Sequence, residues 1–222
     1  MANRYFSTSI GRKVLMALSA LFLLVFLLQH FLINILSVFS PAAFNSASHF
    51  MGTFWLIQYV FQPILIAGVL FHFIMGFVLE LQNRNAREVR YAFNKPSANS
   101  TWMSRNMMWS GLTILAFLVL HFIDFWIPEM VHKYVETHPE DPTRYYHELV
   151  VKFENPIRVG AYVVAFVLLA MHLLHGFQSA FQSVGLRHPK YLGTIKTLGK
   201  LYAIILPLGF IFIALFHYVR SL

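Results

Sequence analysis

The chain has 222 residues, of which 58% are hydrophobic and only 12% charged, about half the charged share that a soluble domain of this size carries. It has no cysteine, which excludes disulfide scaffolds, iron–sulfur ligation and thiol catalysis by this subunit and leaves histidine, carboxylate or methionine to hold any metal. The formal net charge of +8 does not point to nucleic acid, because the basic residues lie between apolar segments rather than along one solvated face.

Five apolar stretches reach the roughly 20 residues that a membrane-crossing helix needs. They fall at about 14–38, 55–82, 107–127, 157–182 and 201–219. The expected fold is therefore all-α, a single integral membrane domain over 1–222 built as a five-helix bundle. The first stretch follows Arg4, Arg12 and Lys13, as in a signal peptide. Its apolar run exceeds the roughly 7–15 residues of a signal core, so it reads as a retained helix.

Loop charge gives the orientation. Arg4, Arg12 and Lys13 precede the first span, Arg84, Arg87, Arg90, Lys95 and Arg105 lie in the second connection, and Arg187, Lys190, Lys196 and Lys200 in the fourth. The first connection has neither Lys nor Arg, and in the third the acids outnumber the bases. The positive-inside rule then puts the N-terminus in the cytoplasm and the C-terminus outside. The third connection, about 128–156, includes Tyr145, Tyr146, Leu149, Val150 and Phe153 at a spacing that predicts a short amphipathic surface helix. Pro63 and Pro207 fall within spans and predict mild kinks. No internal repeat is read along the chain.

Histidine placement carries the chemistry. Of eleven, His49, His132, His138, His147 and His188 fall in connections and His217 at the end of the last span; these six read as solvated. His30, His72, His121, His172 and His175 lie within spans, where an ionisable group usually marks function. At 1.5 Å per residue, His30 and His121 stand about 25 Å from the inner face, and His72 and His172 about 16 Å. Two imidazoles from different helices at one depth are what a six-coordinate haem iron requires. The expected axial ligands are His30 with His121 for an outer haem and His72 with His172 for an inner one. His175 lies about one turn deeper and competes with His172; its alternative role is contact with a haem propionate or a quinone. Gly68, Gly76 and Gly176 lie four residues from an inner histidine, where a flat macrocycle needs neighbours without side chains; ordinary small-residue helix packing accounts for them equally. Lys13 and Arg105, near helix ends, are candidates to pair with propionates.

At these residues the chain resembles the cytochrome b membrane anchor of succinate dehydrogenase and fumarate reductase, in its single-chain, five-helix, two-haem form. The resemblance covers nearly the whole chain. It rests on one histidine in each of the first four spans, and on the segments Asn45-Ser-Ala-Ser-His-Phe-Met-Gly52, Phe71-His-Phe-Ile-Met-Gly-Phe-Val-Leu-Glu-Leu-Gln-Asn83 and His172-Leu-Leu-His-Gly-Phe-Gln-Ser179. It implies two b haems, with His172 favoured by its His-x-x-x-Gly element. It also implies a flavoprotein with FAD and an iron–sulfur subunit docked at the cytoplasmic face of a bacterial inner membrane, in a complex that can form a higher oligomer. Menaquinone or another quinone would be the membrane substrate. Some relatives carry an acid in the first outer connection for quinol protons, but this connection has no Asp or Glu; its polar candidates are Asn45, Ser46, Ser48 and His49. Asp124 and Glu129 are substitutes, though acids at a helix end usually face water. Two rivals stay open: a di-haem cytochrome b of a nitrate reductase, formate dehydrogenase or hydrogenase, and a transporter relaying protons through histidines.

Overall fold

The computed structural model describes residues 8–85, 106–186 and 188–222. Regular structure among them is helical throughout. Helix α1 spans Ser9–Phe39 and α2 Pro41–Thr53; α3, Gln62–Asn85, is entered through a π turn at Ile57–Phe61. Helix α4 begins as Met107–His121 and continues through a π turn, Phe122–Trp126, a single α turn, Ile127–Met130, and a second π turn, Val131–Val135. Then follow α5, Arg144–Phe153, α6, Pro156–Ser183, and α7, Pro189–Ser221. Five of these helices, at Ser9–Phe39, Ile57–Gln82, Met107–Val135, Pro156–Ser183 and Pro189–Ser221, are long and apolar enough to cross a membrane. Their outward faces, such as Val25, Leu32, Ile74 and Val119, are exposed and apolar, as a lipid-facing surface must be.

The helices are longer than hydropathy indicates. α7 starts at Pro189, a dozen residues before its apolar run, because Ile195 and Gly199 pack inward while Lys190, Lys196 and Lys200 stay exposed on the other side. The first connection is itself a helix. Ser40 ends α1 in extended conformation and caps α2 by accepting from the Ala43 N–H at 3.2 Å, with Pro41 preset at the first helical position. The amphipathic helix expected in the third connection is present as α5, with Leu149 and Phe153 buried in the core.

Two of the π turns have a local cause. Pro63 and Pro128 each lie two residues past one. Proline lacks an N–H and its ring crowds the carbonyl four residues back. In both cases the residue before the proline bonds five residues back instead: Gln62 N–H to the Ile57 carbonyl, and Ile127 N–H to that of Phe122. Pro207, by contrast, is buried within an otherwise continuous α7.

Helix α6 packs on α1, α4 and α7, and α3 packs on α1 and α4, whereas α3 and α6 do not pack extensively on each other. Asn45 fastens α2 to α5: its amide accepts from the Tyr146 N–H at 2.7 Å and donates to the Thr143 carbonyl at 2.8 Å. The α6–α7 seam depends on close approach at Gly199, where an added Cβ would lie 2.8 Å from the Phe177 ring, while Gly193 has nothing within 4 Å. Replacing Gly199 with Leu should destabilise the chain by about 1–3 kcal/mol through overpacking. The same change at Gly193 should be neutral or mildly stabilising through helix propensity. Thermal unfolding of both variants in detergent distinguishes the seam from a generic glycine effect.

Candidate functional site: four imidazoles at two levels

The inner pair is held by a matched device. His72 Nδ1 lies 3.0 Å from Ser19 Oγ, and the Ser19 hydroxyl donates to the Met16 carbonyl at 2.8 Å. His172 Nδ1 lies 3.1 Å from Ser110 Oγ, and the Ser110 hydroxyl donates to the Met107 carbonyl at 2.9 Å. With its single hydrogen committed to the backbone, each serine oxygen accepts from the imidazole, so Nδ1 carries the proton and Nε2 keeps a free lone pair. That is the tautomer a metal needs, fixed by a partner on the far side of the ring. His172 lies within electrostatic reach of His72 and His175. His175, one turn on, has no such serine among the described residues.

The outer pair is in direct contact. The rings of His30 and His121 are 5.8 Å apart between centres and nearly perpendicular, close enough for both to reach one metal atom. Each has a phenylalanine four residues before it against its ring: Phe26 on His30 at 5.4 Å and Phe117 on His121 at 5.8 Å. His121 Nδ1 is buried with no hydrogen-bond partner. The His30 Nε2 faces the Asn34 amide at 3.4 Å, which also donates to the His30 carbonyl at 2.8 Å.

The two levels can be measured along single helices. Ser19 touches the inner histidine and His30 belongs to the outer pair, eleven residues apart on α1; Ser110 and His121 are eleven apart on α4. Both give a separation of about 16 Å at 1.5 Å per residue. The depth count along the sequence implied about 9 Å. Here too a repeat emerges that was not read along the chain. Met16, Ser19, Phe26 and His30 recur as Met107, Ser110, Phe117 and His121, and His72, Gly76, Phe77 and Gln82 recur as His172, Gly176, Phe177 and Gln182. The signal was a constant offset between spans, not a short period.

The three glycines accept side chains from neighbouring helices beside the histidines. An added Cβ would lie 3.0 Å from Phe22 at Gly68, 3.4 Å from Met16 at Gly76, and 3.6 Å from Met107 at Gly176. Lys13 is exposed near the start of α1, and Arg105 lies outside the described residues. Of the quinone candidates, Asn45 is spent on α5, Ser48 is half-buried, and His49 stands 3.7 Å from Glu140. A groove of about 440 Å³ opens between the start of α3 and the end of α4, lined by Gln58, Gln62, Ile66, Trp126 and Tyr134 among others.

Three groups read as facing water do not. Asp124 is 2% exposed; it pairs with Arg158 at 3.1 Å and accepts from the Tyr162 hydroxyl at 3.0 Å. Glu129 is bound by Lys133 at 2.6 Å and by Arg144, which also holds Glu148 at 2.7 Å. Burial alone would lower the Arg144 pKa, but the two carboxylates outweigh it and hold it above its ordinary value. Burial and the Glu129 charge push the Tyr145 phenol up to about 12. His217 is 1% exposed, its Nε2 2.9 Å from Ser37 Oγ and its ring against Tyr146.

Compared with family models, curated proteins and solved structures, the chain matches none.

Arg158→Met removes the cation and leaves the Asp124 carboxylate buried; this should cost about 3 kcal/mol. Combining it with Asp124→Leu should recover a substantial part of that loss, because the stranded charge is then gone. Chemical denaturation of the single and double variants in mixed micelles reads the difference.

Proposed function

We propose that this chain is the membrane-anchor and electron-transfer subunit of a succinate:quinone oxidoreductase or quinol:fumarate reductase. In this reading it passes electrons between an iron–sulfur subunit and membrane quinone through two b haems, held by His72 with His172 and by His30 with His121. The observation that carries the reading is the paired serine device at the inner level, since structural histidines have no need of one tautomer on two different helices. One further feature suits such a group: the His30 and His121 rings lie 5.8 Å apart between centres. The motif resemblance supplies the class of complex.

When bound, the haems provide one-electron iron chemistry with both axial positions filled. The chain's own residues do the rest. Ser19 and Ser110 fix the inner imidazoles, Phe26 and Phe117 brace the outer ones, and the surrounding apolar side chains keep water from both levels. A spacing of about 16 Å along α1 and α4 leaves the levels as two stations across the bilayer. Loop charge favours a cytoplasmic N-terminus and the resemblance implies a bacterial inner membrane; the basic connections, with 12 of 17 Lys and Arg residues, would then offer a dock for the flavoprotein and iron–sulfur partners. Menaquinone or another quinone would reach the opposite level, where the groove at Gln58 and Tyr134 has the volume of a small-molecule site.

A reduced-minus-oxidised spectrum of the detergent-purified chain, with haem quantified and co-purifying subunits identified, tests this. Two low-spin b haems per chain, beside a flavoprotein and an iron–sulfur protein, are expected, and His30→Ala or His172→Ala should each remove one. A colourless chain without such partners overturns the reading. Ser19→Ala and Ser110→Ala should retain haem but raise the inner midpoint potential. An imidazole that no longer donates from Nδ1 is less basic and favours the oxidised iron less.

A further inference from the structure

We infer that residues 132–138 form a site for one divalent transition-metal ion of the zinc class, with His132, Glu136 and His138 as ligands. The site is separate from the buried imidazoles and does not depend on the electron-transfer reading. Its backbone is built to close. The π turn Val131–Val135 ends with Glu136 N–H bonding to the Val131 carbonyl at 2.9 Å. Thr137 then takes φ 49°, the left-handed region that a β-branched side chain rarely enters; among the described residues, no other non-glycine does so. The chain doubles back, and His138 N–H bonds to the His132 carbonyl at 3.2 Å.

The fold-back brings the His132 and His138 rings to 5.1 Å between centres. One ligand atom from each of His132, Glu136 and His138 lies within 4.8 Å of the other two. His138 Nε2 is 3.1 Å from Glu136 Oε2. An ion pair would need only those two groups. It gives no reason for His132 Nε2 to be buried without a hydrogen-bond partner, a state that costs free energy unless something fills it. Beside the cluster is a cavity of about 20 Å³ lined by His49, His132, His138, Glu140 and Asp141, among others. That volume holds one water or one ion.

Charge and ligand type select the occupant. Lys133 and Arg144 also line the cavity, but Glu129 and Glu148 offset their charge, and Glu140 and Asp141 add two carboxylates to the lining. Two imidazoles with one carboxylate suit zinc and its neighbours, whereas calcium and magnesium favour all-oxygen shells. Three protein ligands leave a position for water.

The test titrates the untagged full-length chain in detergent with Zn²⁺ against a chromophoric chelator. One equivalent should bind. His132→Gln combined with His138→Gln should weaken it on the order of 100-fold, at least what losing an outer partner costs at a metal site, while His147→Gln, on the exposed face of α5, should leave it unchanged. Co²⁺ should give visible d–d bands that the double variant lacks. Glu136→Gln, which keeps both rings, should weaken binding with the helical circular dichroism intact. Absence of a stoichiometric site, or equal affinity in the double variant, overturns the assignment.

Discussion

Every imidazole has two nitrogens, and inside a lipid-embedded bundle neither can turn to water. Each must find a donor, an acceptor or a metal, or remain at a cost. This constraint organises the bundle. At the inner level, serines one helix away take the Nδ1 protons of His72 and His172, each serine being fixed in turn by its own helix backbone. The same side-chain pair occurs a third time with the opposite outcome. Ser37, donating to the Asn34 carbonyl at 2.7 Å, meets His217 through Nε2. The nitrogen left over is then Nδ1, the one nearer the ring's own backbone. One device thus leaves Nε2 free on two histidines and occupies it on the third.

The His30 and His121 level obeys the same constraint differently. Its rings are braced by aromatics, one nitrogen is unpartnered, and a further ring contact comes from Phe210 at 5.8 Å from His30. Around it the bundle gathers its buried charge. Asp124 and Glu129 occupy the irregular stretch of α4, and each is neutralised by an arginine from beyond the next turn of chain, Arg158 on α6 and Arg144 on α5. The π turn that accommodates Pro128 contains Asp124 itself, so one proline both relaxes the helix and sets the register of the buried acid.

Spans were legible because hydropathy is a local property and lipid demands it residue by residue. Helix ends were not, because α2 and the first three turns of α7 are stabilised by packing on one face and by the caps at Ser40 and His188, which leave little trace in a hydropathy average. The histidines to single out could be read from depth, since burial of an ionisable group is conspicuous. What holds them could not: Ser19 and His72 are 53 residues apart, Ser110 and His172 are 62 apart, and Ser37 and His217 are 180 apart. Distance in sequence also explains why Asp124 read as solvated, since its partner Tyr162 is 38 residues away; Glu129 is held by Arg144, 15 residues away, and by Lys133 one turn on. An acid at a helix end is buried only if a cation arrives from elsewhere in the chain.

The offset repeat explains why the levels are two and paired. One unit, α1 with α3, supplies an outer imidazole, an inner imidazole and the serine that orients its own inner one; α4 with α6 supplies the same set. Neither unit alone can give two imidazoles at one depth, because its two histidines lie about 16 Å apart along the bundle. Placing the units side by side pairs outer with outer and inner with inner, and both levels form together. Helix α7 stands outside this logic, with no counterpart in either unit. It seals the open side of α6 and α1 through Gly199 on Phe177, Gly209 on Phe31 and the Tyr202 hydroxyl on the Leu24 carbonyl. The odd fifth helix is thus a packing element, which is why its one buried histidine is spent on a serine of α1.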